Sequence, residues 1–433
     1  MHFLRALGPG LLMASAAIGV SHFVQSTRAG ADYGLIALIF ILAATLFKYP
    51  FFEFGHRFAG ATRKNLLDAY LALGKKYLIL FLLLNIITGV GSIAAVTFVT
   101  AAIFQNLTGY QSITFWSACI FIVSMLILLR GQYSWLDGII KFLMIILVIA
   151  TTVAFFAALE RGVAYQESFI SPSIFTWASL PFLIALMGWM PGPIEMSAWQ
   201  SLWVQERERT EKVKFNFQEI SFDFNFSYLL TVITAVLFLS LGYFTMHGTG
   251  ETFSAKGAVF AGQVIELYTR AIGEWTKPVI GLAAFAAMFS TSFTLVDAYP
   301  RALSTGLHAI IQLRNGKITS RSVAHGRFIR ELVRKFPNEK ITRGIITILC
   351  CLISLIIIGV FTSSLKVLVD VVTSIAFIAA PIFAWLNYKV ITSALTPKQY
   401  QPQKWLLILG KLGLTYLVIF GILYIWYLFF YAV

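Results

Sequence analysis

Apolar residues occur along this chain in blocks of about 17 to 28 positions, separated by shorter polar stretches. A helix needs about 20 consecutive apolar residues to cross the hydrocarbon of a bilayer. The pattern therefore predicts about eleven membrane-spanning helices, at 8–29, 33–55, 78–104, 113–129, 138–158, 177–204, 224–246, 279–300, 343–361, 364–388 and 404–431. Two blocks are broken in their middles, the first at Gly19-Val20-Ser21-His22 and the sixth at Gly188-Trp189-Met190-Pro191-Gly192-Pro193. Hydrocarbon supplies no partner for freed backbone groups, so a break is tolerated only where it lines a protected cavity. Paired breaks at corresponding places in two halves point to the binding site of a secondary transporter.

The expected architecture is a single all-α membrane domain. Its first repeat covers about 8–158 and its second about 177–388, with an additional helix at about 404–431. Five spans per repeat is an odd number, so the second repeat is inverted relative to the first. The matching breaks alone carry this division.

Composition agrees with lipid as the main solvent. The chain is 58% hydrophobic and 12% charged, against about 25% charged in an ordinary soluble domain. The net charge of +14 is explained by placement. With the N-terminus cytoplasmic, 26 of the 33 Lys and Arg fall in or beside cytoplasmic segments, ten of them between Arg301 and Arg343. Arg28, Arg161, Lys256, Arg270, Lys277 and Lys366 fall outside, and Lys48 lies within a span. This is the positive-inside bias. It predicts a cytoplasmic-membrane protein with its C-terminus outside and the lipid bilayer as its partner, and argues against nucleic acid.

The long polar connections Gly306–Thr342 and Gln205–Glu219 are expected on the cytoplasmic side. The outer connection Tyr243–Lys277 is expected to carry an amphipathic helix through Ala258, Val264 and Tyr268. Cys119, Cys350 and Cys351 all lie in predicted spans and read as packing residues. The N-terminal run to Ala14-Ser15-Ala16 imitates a secretory signal, but its apolar pattern continues, so a span is expected. No HExxH, GxSxG or paired aspartate on facing spans suggests an enzyme, and no cofactor is predicted.

The run GPGLLMASAAIGVSHFVQSTRAGADYG, Gly8 to Gly34, resembles the first membrane helix of the NRAMP metal-transporter family. That family reads GPG, eight residues, DPGN, an aromatic, and then AGAxYG. Met190-Pro191 falls where the family has its MPH motif. The resemblance implies a LeuT-type 5+5 inverted repeat with discontinuous helices 1 and 6. In that family the Asp and Asn of DPGN and the Met of MPH hold a divalent metal. Here Gly19 stands at the Asp position and His22 at the Asn position, while Gly192 and Ser197 replace two histidines; only Met190 is kept. Hard divalent ions normally need carboxylate oxygens.

Losing a carboxylate changes the preferred sign of the cargo. At about 4 Å and an effective dielectric of about 20, one carboxylate attracts a unit cation by about 4 kcal/mol and repels an anion equally. What remains at each break is a half-helix N-terminus with roughly +0.5 charge and free N–H donors. The expected cargo is thus a small inorganic anion. The chain also resembles the NRAMP-related branch of LeuT-type inorganic carbon transporters, and that resemblance implies bicarbonate. The alternative is a divalent-metal transporter for Mn, Fe or Mg, and a passive channel is the further reading that broken half-helices allow.

Gly19, Val20, Ser21, His22, Phe23, Gln25, Met190 and Gly192 are the expected substrate-binding residues. Ser290, Thr291, Thr294, Asp297, Asp370, Lys48 and Glu53 are candidates for coupling or gating. The span-8 hydroxyls could join carbonyls of the first helix in a sodium site; sodium or a proton is a candidate coupling ion, and uniport down a gradient is equally allowed. No metal site is predicted. Arg28 is expected to pair with Asp32 or attract anions, and Glu195 to face away from the pocket or pair with a base.

Overall fold

The computed structural model describes residues 7–110, 112–130, 134–163, 166, 169–211, 215–314 and 338–431. Residues 315–337 and 212–214, the middles of the two long polar connections, lie outside the described residues. Among the described residues all regular elements are helical.

The first block forms α1 (Pro9–Ala17), a π-helical turn at Ser21–Ser26, and α2 (Thr27–Tyr33). Pro9 in the first turn of α1 suits a position whose N–H has no helical partner. Gly34, at φ 71°, ends α2 and redirects the chain into α3 (Leu38–Thr62). Side chains rarely adopt that φ, so glycine is required there. The first two blocks are consequently closer to continuous than expected: one helical run of 42 residues, Ser21–Thr62.

A short helix, α4 (Leu66–Leu73), starts at Asn65, whose side chain accepts the Asp68 amide. Then follow α5 (Lys75–Thr108), α6 (Ile113–Arg130) and α7 (Ser134–Arg161). The sixth block divides into α8 (Leu180–Gly188) and α9 (Met196–Glu211). After it come α10 (Phe217–Met246), opened by an Asn216/Glu219 capping box, and the amphipathic α11 (Gly257–Ile272). The remaining helices are α12 (Lys277–Arg314), α13 (Glu339–Val360), α14 (Leu365–Ile391) and α15 (Lys404–Phe430). Among the described residues seven helical runs are long and apolar enough to cross a membrane, and Ile113–Leu129 and Trp177–Gly188 are shorter apolar helices. Pairing α1 with α2 and α8 with α9 recovers the eleven blocks; α4 and α11 lie between them.

The molecule is apolar outside and polar at its centre. Ile348, Leu352 and Ile356 on α13, and Ile408, Ile419 and Ile422 on α15, are exposed, whereas Lys48, His22, Gln25 and Asn85 are fully buried. With lipid outside, burial of apolar surface cannot hold helices together; close packing and interhelical hydrogen bonds do. The α2–α10 contact shows how: a Cβ on Gly30 would collide with the Leu239 carbonyl, and one on Gly242 with that of Thr27. The α8–α14 contact is equally close, with Gly188 against the Thr373 carbonyl. Helices α5 and α12 pack along their lengths and form the wall against which both breaks lie.

Candidate functional site

In the first break α1 ends because the chain turns at Ile18 and Gly19. The Gly19 carbonyl then accepts the amides of His22 and Phe23 at 3.1 and 2.9 Å, starting the second half-helix. Hydroxyls satisfy much of what this interruption frees. Ser21 Oγ donates to the Ala17 carbonyl (2.8 Å), Ser26 Oγ to that of Ser21 (3.1 Å), and Thr291 Oγ1 lies 3.2 Å from the Ser15 carbonyl. Ser15 and Ser290 hydroxyls meet at 2.9 Å. The span-8 hydroxyls do reach the first helix as expected, but Ser290 and Thr291 are engaged directly with Ser15.

Gly19 is packed tightly. A Cβ built on it would stand 2.8 and 2.9 Å from the Thr291 side chain and 3.3 Å from Met288. Real Cβ atoms essentially never come that close, so a side chain at this position would require Thr291 to shift.

The second break is built differently. The end of α8 leaves the carbonyls of Met187 and Gly188 without helical partners. Lys48, fully buried on α3, donates to them at 2.6 and 2.8 Å and to Gly192 at 3.4 Å. A cation at the C-terminal end of a helix is favoured by the helix dipole. Beyond Pro193, a turn through Ile194 and Glu195 opens α9, with the Pro193 carbonyl accepting the Met196 amide at 3.1 Å. Glu195 is buried and accepts from the Tyr299 hydroxyl at 3.1 Å, and it does not line the cavity.

Between the breaks lies a cavity of about 20 Å³ bordered by Ala17, Ser21, Ser92, Trp189, Thr291 and Tyr299, with Val20 and Gly192 also at its wall. That is room for about one water molecule. Its polar atoms are hydroxyls and an indole N–H; the Trp189 Nε1 is buried and has no partner among the described residues. No carboxylate, lysine or histidine lines it.

Several expected ligands stand elsewhere. His22 is turned toward α10: its Nε2 is 2.9 Å from the Thr231 carbonyl, and its Nδ1 is 2.8 Å from Ser21 Oγ. A carbonyl only accepts, so Nε2 carries a proton, and the single Ser21 hydroxyl proton is shared between the His22 Nδ1 and the Ala17 carbonyl. His22 therefore holds the half-helix in place and touches the cavity only through Ser21. Phe23 packs edge-on against Phe238. Met190 is fully buried outside the cavity wall. Asp297 makes a bidentate pair with Arg301 on its own helix, and Thr294 is half-buried off the wall. Glu53 pairs with Arg57, so Lys48 and Glu53 are separate devices.

Gln25 belongs to a third cluster. Arg28 donates to Asp370 at 2.8 and 3.2 Å and to Gln25 at 2.9 Å, and Gln25 donates to Asp370 at 3.0 Å. Asp370, not Asp32, is the arginine's partner. The cluster ties the second half of the first broken helix to α14, off the cavity wall. On the opposite side Asp223 of α10 accepts the amides of Gly8 and Gly10 at 3.0 and 2.7 Å, anchoring the start of α1.

Sequence reasoning missed Tyr299, Ser92, Trp189 and Asp223 because nothing in their local pattern separates a lining residue from a packing one. For Lys48 the signal was present, a charge in mid-span; its partners were not, because they lie about 140 residues away.

The Nramp family model (natural resistance-associated macrophage protein-like) matches residues 10–427. An uncharacterized protein of Pasteurella multocida is 38% identical over 97% of this chain and 92% of its own length. A manganese transporter of Eremococcus coleocola has a similar structure, with a TM-score of 0.67 at 13% identity over 96% of this chain and 85% of that one. The structure of Mhp1, a nucleobase-cation-symport-1 family transporter in a closed conformation, gives 0.55 at 15% identity, over 97% and 92%.

Proposed function

The chain belongs to the Nramp family and is a multi-pass membrane transporter, not an enzyme; from that premise we propose that its cargo is a small inorganic anion, bicarbonate first, carried by alternating access through the space between the two breaks. The observation that carries this reading is Gly19. The residue at the family's carboxylate position is glycine, so no acidic side chain stands at the first break, and a Cβ added there would force the Thr291 side chain to shift. Two further observations support it: the carbonyls that would attract a cation at the second break already hold the Lys48 ammonium, and Trp189, at the cavity wall, has an unpartnered indole N–H among the described residues. A donor of this kind suits an oxygen of a planar oxyanion.

In this reading the Arg28–Gln25–Asp370 cluster and the Asp223-anchored half-helix α1 close the path on opposite sides and open in turn. With α1 at the cytoplasmic face, the arginine cluster is the outer closure and the protein sits in a cytoplasmic membrane. The present cavity must widen to admit cargo, since about 20 Å³ holds little more than a water.

A second reading, a divalent metal such as Mn, Fe or Mg, is favoured by the comparisons, because the similar Eremococcus coleocola structures are manganese transporters. It would use Met190, backbone carbonyls and retained water, and would require Lys48 to leave the carbonyls it now holds. Among the described residues no group of three or more His, Cys, Asp or Glu could hold a metal. Radiotracer uptake into proteoliposomes separates the readings: saturable bicarbonate entry without manganese entry is expected, and saturable manganese entry overturns the anion.

A further inference from the structure

Lys48 is an expensive residue to keep at the centre of a membrane protein. Its side chain is fully buried and its three N–H bonds match three carbonyl oxygens, those of Met187, Gly188 and Gly192. All three belong to the second break, where a discontinuous helix exposes the negative end of its dipole. Unwound carbonyls and half-helix C-termini are the groups with which broken-helix transporters coordinate their coupling cations. Here that seat is filled by the chain itself, from α3, a neighbouring helix. At the first break the Ser15 and Ala17 carbonyls are met by neutral hydroxyls, those of Thr291 and Ser21, and by no charged group.

We propose that Lys48 is a resident cation: its ammonium occupies the carbonyl seat of the second break throughout the cycle, in place of a mobile alkali or divalent ion, so that no co-bound cation is needed there. Its role in favouring an anionic cargo rests on the anion reading above; its occupation of the seat does not. Tyr299, bonded to the buried Glu195 and bordering the cavity, lies between the second break and the transport path. Removing the lysine side chain should create a cavity that accepts a small ammonium or alkali cation.

The test is thermal unfolding of the purified full chain and its Lys48→Ala variant in detergent. Each is titrated with ethylammonium, sodium or bulky choline chloride at constant ionic strength. A ligand that binds only the folded state raises Tm. The expected result is a rise of about 2 °C or more for Lys48→Ala with ethylammonium or sodium but not choline, and none for the unaltered chain. Equal responses of the two proteins, or no response in either, overturn the resident-cation role. Should Lys48→Ala not survive purification, the unaltered chain and Lys48→Arg carry the test in proteoliposomes. Tracer uptake by the unaltered chain should be the same in sodium and choline media, and a sodium requirement overturns the proposal. Lys48→Arg, whose planar fork fits three converging carbonyls poorly, should lose uptake about tenfold; uptake within twofold of the unaltered chain counts against the seat. Absence of bicarbonate uptake in the unaltered chain would defeat the cargo reading while leaving the Tm comparison decisive for Lys48.

Discussion

The two breaks perform the same task with different chemistry. Both free backbone groups in the middle of a membrane helix, and both must satisfy them without water. The first does so with neutral hydroxyls: Ser21 on Ala17, Ser26 on Ser21, and Thr291 beside Ser15. The second uses a charge, Lys48, on three carbonyls, flanked by Pro191 and Pro193. Neutral hydrogen bonds contribute about 1 kcal/mol each, whereas charge-assisted ones are roughly twice as strong. The first break can therefore exchange partners at little cost, and the second resists it. The half-helix α1, anchored at its start by Asp223, is the element expected to move; the second break is the fixed point around which it moves.

Substitutions at Gly19 should have the largest effect on this contrast. Gly19→Ala places a methyl group against Thr291 and should destabilise the chain by about 1–3 kcal/mol through overpacking, with uptake falling at least about tenfold if the first break is the mobile one. Adding Thr291→Gly should restore much of the loss, measured by thermal unfolding and tracer uptake. Independence of the two substitutions would remove the steric argument on which the anion reading stands.

Next in size is the closure across α2 and α14. Arg28 is 7% exposed and Asp370 is 30% exposed at their side chains, so the pair is partly screened. A double-mutant cycle with Arg28→Ala and Asp370→Ala should give a coupling of about 1–2 kcal/mol, between the values for exposed and buried pairs. The substitutions should also raise the labelling rate of a cysteine introduced at Ser92 by a small membrane-impermeant thiol reagent from that side. An unchanged rate would mean that the cluster is packing and no closure.

His22→Ala should cost less, about 1 kcal/mol of stability for the bond to the Thr231 carbonyl. Uptake should fall only a few-fold, because the imidazole lies off the cavity wall. Complete loss of uptake in a protein of unaltered Tm would restore His22 as a direct ligand and make the first break the chemical centre. Smallest of all in transport is Asp297→Asn. Its partner Arg301 is on the same helix with both side chains 18% exposed, so a loss of about 1 kcal/mol of stability and unaltered uptake are expected.

Much of the fold was legible because the bilayer imposes simple lengths. Blocks such as 404–431 and 343–361 map directly onto α15 and α13. The run from Ser21 to Thr62 was harder to divide, since only Gly34 interrupts it. Both breaks were legible through Gly, Pro and the loss of apolar pattern. The site was less so. Val20, Ser21 and Gly192 were read as site residues and border the cavity, while His22 and Met190, equally prominent in the pattern, lie off its wall. A helix position specifies an angle around the axis only when the neighbouring helices are known.

What the amino-acid order determined by itself is the class of object: a bundle of membrane helices with two interruptions, of which the first lacks a carboxylate. That follows from hydropathy and from which residues can leave a helix, both local properties. Tertiary structure decided which charge meets which break. Lys48 reaches Gly188 across about 140 residues, and Arg28 reaches Asp370 across more than 300. Such pairings depend on how helices cross, and in a membrane the crossings are set by close contacts between small residues and by the need to satisfy every buried polar group.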